Sequence, residues 1–177
     1  MAESPTRPGL PPELLERIRR GFPLRLDALG RFMFEQDEIT HPRVVDLFRS
    51  GIDVNDAGEL VLQVGDQWTY LNATDCPLRV LAVLGRADQD LLPRLQLDDG
   101  RTLELDWSTL VEDEARGLRC SVPAQGSGRL LAARFTNRAA LSVADWLVCD
   151  ENERPTLPHA HGGALVPFIA ADESSKR

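Results

Sequence analysis

The chain has 177 residues, with 20 Lys and Arg against 28 Asp and Glu, a formal net charge of −8 and 42% hydrophobic residues. That is enough apolar material for one generous domain or two small ones. The acidic balance opposes phosphate backbones and anionic lipid surfaces, which sets aside nucleic acid and membranes as partners. Residues 1–10 are a Pro/Gly/Ser-rich lead without an apolar leader, and no run of about 18 apolar residues follows, so the expected location is the cytoplasm. Cys76, Cys120 and Cys149 are too widely spaced for a Cys-x-x-Cys pair and read as three reduced thiols.

Pro12 can open a helix that runs to Arg20 and ends at Gly21, with Leu14, Leu15 and Ile18 on one side. The one dense basic run, Arg17, Arg19 and Arg20, falls in its last turn, where cations offset the helix dipole. Strand patterns follow at residues 24–27 and 31–34. Thr40 is placed to cap a second helix with Pro42 in its first turn; Val44, Val45, Leu47 and Phe48 form its buried stripe, and Gly51 suits a left-handed terminus.

Residues 61–64 and 67–70 alternate around Gly65-Asp66, which predicts a hairpin with a type II′ turn. That turn sets Gln63 opposite Trp68 and Val61 opposite Tyr70 on one face, with Leu62 opposite Thr69 and Leu60 opposite Leu71 on the other. A strand over 78–84 leads to a polar hinge at 85–90. Beyond it, strands are predicted near 91–97, 102–106, 118–122 and 129–135. A helix capped by Thr136 or Asn137 then places Ala140, Val143, Ala144 and Leu147 on one stripe, with Trp146 at its edge. A last apolar run, 164–171, contains Pro167, which confines it to a sheet edge.

The chain also repeats a phrase. Leu24, Leu26, Asp27, Gly30 and Arg31 return one residue tighter as Leu95, Leu97, Asp98, Gly100 and Arg101, and Gly58-Glu59-Leu60 returns as Gly128-Arg129-Leu130. Gly30 and Gly100, like Gly58 and Gly128, are 70 residues apart. The predicted fold is therefore α+β: two related β-rich halves of antiparallel strands, 22–85 and 86–150, each with a packed helix. A lead and short helix (1–21) precede them, and a polar tail with an edge strand (151–177) follows.

The run from residue 23 to 83 resembles the bacterial domain-of-unknown-function family 1285. The likeness is carried by the Gly30-Arg31 turn, the aromatic strand at Phe32 and Phe34, Ile39 before a polar turn, the Val44-Val45-Asp46-Leu47-Phe48 helix, the Gly58 hairpin and the Asp75-Cys76-Pro77 entry to a strand. The second half is similar through its Arg134 strand and the following helix with Arg138 near its start. The resemblance implies a duplicated α+β unit in a small cytoplasmic protein, with a role in signalling or ligand sensing and no established catalytic residues. Where relatives carry a Glu-rich stretch after the hairpin and aromatics in the last helix, this chain has Thr69 to Asn72 and the small Ala139 and Ala140.

Four segments bear on chemistry. Trp68 and Tyr70 share a strand face; with Arg79 on a neighbouring strand they would form an aromatic and guanidinium binding platform, unless a helix covers them as core. His159 and His161 lie on one side of an extended segment and, with Cys149 or Asp150, have metal-ligand character, although a closed zinc site needs four ligands. Asp53-Val54-Asn55-Asp56-Ala57-Gly58 begins like a calcium loop, but its twelfth position is Val64 and its flanks are strands, so it reads as a hairpin turn. Gln125-Gly126-Ser127-Gly128-Arg129 lacks both nucleotide-loop and nucleophile-elbow spacing and reads as another. Asp98-Asp99 and Glu112-Asp113-Glu114 read as solvated turn carboxylates. The leading function is a non-enzymatic module that binds a small ligand or a protein through a cleft between its halves, without a cofactor. The alternatives are a hydrolase-type or metal-dependent enzyme using Cys149, His159 and His161, and a structural subunit whose edge strands pair with a partner or a second copy.

Overall fold

A computed structural model describes residues 10–87, 92–113, 117–149, 151, 155–157 and 166–167. Helix α1 (Pro12–Arg20) starts on proline and stops at Gly21. Strands β1 (Leu24–Leu26), β2 (Phe32–Phe34) and β3 (Asp37–Glu38) pair in succession, and α2 (Pro42–Ser50) follows. Next come β4 (Ile52–Val54), β5 (Leu60–Val64) and β6 (Gln67–Tyr70), an antiparallel sheet of three, then β7 (Asn72–Ala73), which returns beside β1. Then follow β8 (Leu78–Leu84), β9 (Arg94–Leu97), β10 (Thr102–Glu104), a 3-10 turn (Trp107–Thr109), β11 (Val111–Asp113), β12 (Gly117–Pro123) and β13 (Leu130–Phe135). These six strands build one sheet in the order β10-β9-β8-β13-β12-β11. Helix α3 (Asn137–Ala144) packs on β8, and β14 (Val148–Cys149), β15 (Pro155–Leu157) and β16 (Val166–Pro167) close the chain with Pro167 on an edge strand.

The architecture is α+β, and the hairpin register is the one that the Gly65-Asp66 turn dictates: Gln63 pairs with Trp68, Leu62 with Thr69 and Val61 with Tyr70. Two pairings are parallel, β1 with β7 and β8 with β13, because long crossovers separate the members of each pair. The repeat glycines all occupy hairpin turns at positive φ: Gly30 at 79°, Gly100 at 85°, Gly58 at 79° and Gly128 at 72°. Around those turns the halves differ, since α2 follows the first hairpin where only a 3-10 turn follows the second. Strands β8 and β9 pair across the hinge, and one buried cluster takes residues from both sides, among them Leu24, Leu62, Leu78, Leu95 and Leu131.

Helix details depart from the sequence reading. The N-cap of α2 is His41 rather than Thr40, and no side chain caps it. Its Leu47 is exposed while Arg49 is buried, so the inward face is rotated toward a charge. Gly51 has φ −92° rather than a left-handed value; it is needed because a Cβ there would sit 2.1 Å from the Gln63 carbonyl oxygen, where the two backbones exchange a hydrogen bond. Thr136 caps α3 through Ala139 N–H; of the expected stripe Val143 is buried, Ala140 and Leu147 pack half-buried against the core and Ala144 is exposed, while Ala139 and Trp146 are buried as well.

What turns α2 inward is a buried charge network. The Arg49 guanidinium lies over the Phe32 ring, pairs with Asp98 at 3.2 Å and donates to the carbonyls of Pro77 and Gly30. Arg79 donates to the Ala28 carbonyl and pairs with Asp75 at 2.9 Å, while its backbone N–H bonds Asp98. Arg134 reaches the same Asp75 at 2.6 Å. Asp98 and Asp99, expected to be solvated, are instead half-buried residues whose carboxylates are largely covered, Asp98 against Arg49 and Asp99 against Arg101, because the β9–β10 turn faces inward. Burial pushes the Asp98 carboxyl above the ordinary carboxylate value and pulls Arg49 down, each against its partner's attraction. For Asp75, burial also pushes upward, but the bonds from Arg134, the Cys76 N–H and Arg79 outweigh it and hold the carboxyl below 3.8.

Because the folded value of Asp75 is depressed, its contribution is complete above the unfolded pKa and fades as pH falls through the lower folded value. Asp75→Asn leaves Arg79 and Arg134 without their carboxylate and should cost about 3–5 kcal/mol at pH 7. Urea melts at pH 7 and pH 3 check this: the gap between wild type and variant narrows at the acid end. Gly51→Ala, with no room for its Cβ, should cost about 1–3 kcal/mol in the same melts, by the usual penalty for overpacking.

Candidate functional site

Asn55 starts the tight turn between β4 and β5: its Oδ1 accepts the N–H groups of Ala57 and Glu59, at 3.0 and 2.8 Å. The segment is thus a hairpin turn, as its missing twelfth ligand implied. A second hairpin turn, 124–129, joins β12 to β13, with Ala124 N–H bonded to the Arg129 carbonyl at 2.7 Å. Although 74 residues apart, the two turns meet. The Asp53 carboxylate accepts Ser127 N–H at 2.8 Å and the Ser127 hydroxyl, and a Cβ at Gly126 would sit 2.6 Å from Asp53 Oδ2. Glycine at 126 is therefore what lets the turn close over the carboxylate. Arg129 pairs with Asp56 and donates to the Val54 carbonyl at 2.8 Å.

Between the turns lies a cleft of about 440 Å³, with Asp53, Asn55, Asp56, Gln63, Ser127 and Arg129 on its walls and Trp68 at one end. A volume of this size suits a small molecule, for which sites start at about 300 Å³. On the other side of Trp68 is an apolar groove of about 300 Å³ between α1, α2 and the β5–β6 hairpin. Trp68 is a wall of both hollows.

The aromatic platform expected from the strand is partly covered by the chain itself. Helix α1 runs along β6, the edge strand of its sheet, with Arg19 stacked over Trp68 and Arg20 over Tyr70, each 4.0 Å from the ring centre. Tyr70 donates to Glu16 at 2.7 Å, which raises its pKa, and Arg20 also pairs with Glu16 and Glu59. The basic run of α1 therefore binds aromatic rings and carboxylates in addition to ending a helix. Trp68 and Tyr70 meet edge to face at 5.2 Å. Arg79 does not join them: it lies on β8 in the six-stranded sheet and is spent on Asp75 and Ala28.

The other candidates carry less. His159 and His161 lie outside the described residues, as do Asp150 and the third carboxylate of the acidic turn, Glu114; Cys149 ends β14. Cys76 and Cys120 are buried, free thiols, and burial pushes Cys120 up to about 12, far from a reactive thiolate. Among the described residues no group of three or more His, Cys, Asp and Glu gathers as a metal centre, and no helix is long and apolar enough to cross a membrane. The sequence reading took the Asp53 and Ser127 turns separately and missed their meeting; the offset of 70 residues that Gly58 and Gly128 share marked both turns without showing that they touch.

No family model and no curated protein matches this sequence. Two solved structures do match in shape. A DUF1285 family protein from Silicibacter pomeroyi DSS-3 aligns with a TM-score of 0.62 at 16% identity, over 88% of this chain and 84% of that one. Another from Shewanella baltica OS155 aligns with a TM-score of 0.54 at 16% identity, over 70% of this chain and 91% of that one. This chain has the fold of these DUF1285 family proteins.

Proposed function

We propose that the protein is a non-catalytic binding module that holds a small polar molecule in the cleft between its two hairpin turns, as a cytoplasmic sensor would. The observation that carries this reading is the grip of Ser127 on Asp53, which fixes the two turns as opposite walls of one preformed hollow. The cleft's own polar groups favour holding over reacting. Among the described residues the one hydroxyl on the cleft wall, Ser127, faces a carboxylate without an imidazole beside it, whereas nucleophilic catalysis by serine needs a base of higher pKa. Two carboxylates, Asp53 and Asp56, stand against one guanidinium, Arg129, and this balance favours a neutral or cationic ligand over an anion. Gln63 and Asn55 supply amide donors and acceptors, and Trp68 supplies a flat apolar face. A sugar ring or a hydroxylated amine has that combination of hydroxyl or amino groups and one apolar side.

A thermal-shift panel of neutral monosaccharides, hydroxylated amines and, as contrast, small carboxylates and phosphates tests this. A ligand at a hundred times its Kd adds about 2.7 kcal/mol, which for a chain of this length raises Tm by roughly 5–10 °C. Gln63 is exposed, so Gln63→Ala should leave the unliganded melt within about 0.5 kcal/mol while abolishing the shift. Asp53→Ala strands the Ser127 donors and should cost about 1–3 kcal/mol as well as binding. A panel without a shift, a shift confined to the anions, or one that persists in Gln63→Ala overturns the reading.

A further inference from the structure

The apolar groove on the far side of Trp68 has a different chemistry from the cleft. Its floor is Leu24, Leu62 and Phe48, and its rim carries Ile18 and Phe22, both exposed although large and apolar. One charged residue lines it, Arg19. That guanidinium sits over the Trp68 ring, and among the described residues no carboxylate pairs with it, whereas its neighbour Arg20 is paired with both Glu16 and Glu59. An apolar hollow with one uncompensated cation at its mouth is complementary to a molecule with an apolar body and a single negative end. A methylene takes about the room of a water, ~30 Å³, so a hollow of about 300 Å³ has space for a chain of roughly eight to ten carbons.

We propose that this groove binds a free medium-chain carboxylate, with the chain laid between α1 and the β5–β6 hairpin and the carboxylate on the outer edge of the Arg19 guanidinium. An arginine fork suits a carboxylate in two-point contact, and stacking on Trp68 holds the fork in place without consuming its N–H groups. The source is the monomer in solution rather than a bilayer, because a chain of net charge −8 is repelled by an anionic lipid surface. Of its lining residues the site shares Trp68 alone with the polar cleft.

Decanoate titrated into the full chain, read by Trp fluorescence and by calorimetry, tests the assignment. Trp68 is the indole at the groove, while Trp107 and Trp146 lie in the core and give a constant background. Saturable binding is expected, weakening about fourfold for each methylene removed from decanoate to octanoate to hexanoate. Decanol, which lacks the charge, should bind at least tenfold more weakly, and Arg19→Gln should erase that preference while keeping the chain-length trend. Val64→Phe, which fills the groove from β5, should abolish binding without changing the response to the panel used for the cleft. The inference fails if decanoate gives no saturable signal at millimolar concentration, if decanol binds as well as decanoate to wild type, if Arg19→Gln retains the preference, or if phosphatidylglycerol vesicles bind while monomeric decanoate does not.

Discussion

The buried pairing of three arginines with two aspartates is the constraint on which the rest of the molecule is arranged. Arg49 comes from α2, Arg79 from β8 and Arg134 from β13, and they converge on Asp75 and Asp98. Taking such charges out of water costs several kcal/mol each, so a set like this persists only where geometry and hydrogen bonds satisfy nearly every donor. The chain meets most of that demand with backbone as well as side chains: the carbonyls of Ala28, Gly30 and Pro77 accept much of what the carboxylates do not, and Arg79 Nε and Arg134 Nε are left without a hydrogen bond. Those carbonyls belong to the β1–β2 turn and to the entry of β8. The network therefore fastens the four-stranded sheet, α2 and the six-stranded sheet to one another with directional bonds, where apolar packing alone would allow sliding. Gly30 is part of this arrangement, because a Cβ there would lie 3.0 Å from Arg79 Nε.

Once those bodies are fixed, the position of the cleft follows. Strand β4 leaves α2 through Gly51, whose missing side chain lets the backbone touch β5 at Gln63. This close approach sets where Asp53 emerges, and Asp53 meets the turn between β12 and β13 on the six-stranded sheet. The hydroxyl of Ser127 and two paired side chains then finish what the buried network began at a distance. Trp68 stands at the end of the same hairpin, pinned from above by Arg19, and so divides a hollow rich in carboxylates from one with a lone cation. The two hollows differ in sign because the same acidic chain places its Asp53 and Asp56 on one side of the hairpin and Arg19 of α1 on the other.

Short-range features of this fold were legible in the sequence. The bounds of α1 follow from Pro12 and Gly21, the β5–β6 register from Gly65, and the strand over β8 from a run after Pro77 that is apolar but for Arg79. Each depends on residues within a few positions of one another. Arg49 defeated the reading of α2 because hydrophobic periodicity assigns charge to solvent, and only Asp98, 49 residues on, makes its burial favourable. Asp98 itself was misjudged for the same reason. The cleft was legible as two turns and illegible as a site: Asp53 and Ser127 belong together only after the β13 strand is placed beside β8 by a parallel pairing, which no local pattern encodes.

The same distinction between local and distant bonding sets which part of the molecule moves most readily. Helix α1 buries none of its residues, unlike α2 and α3, and it is held by two stacked arginines, the Tyr70 and Thr69 hydrogen bonds and an exposed ion pair from Arg20 to Glu59. Exposed ion pairs are screened by salt and weak individually. Elements with little buried apolar area open at a free energy below that of global unfolding. None of the arginine–aspartate contacts lies on α1, so the helix that covers Trp68 and Tyr70 is fastened independently of the network that joins the sheets. The aromatic face read from the sequence is thus covered through bonds that sit at the protein's edge rather than in its core.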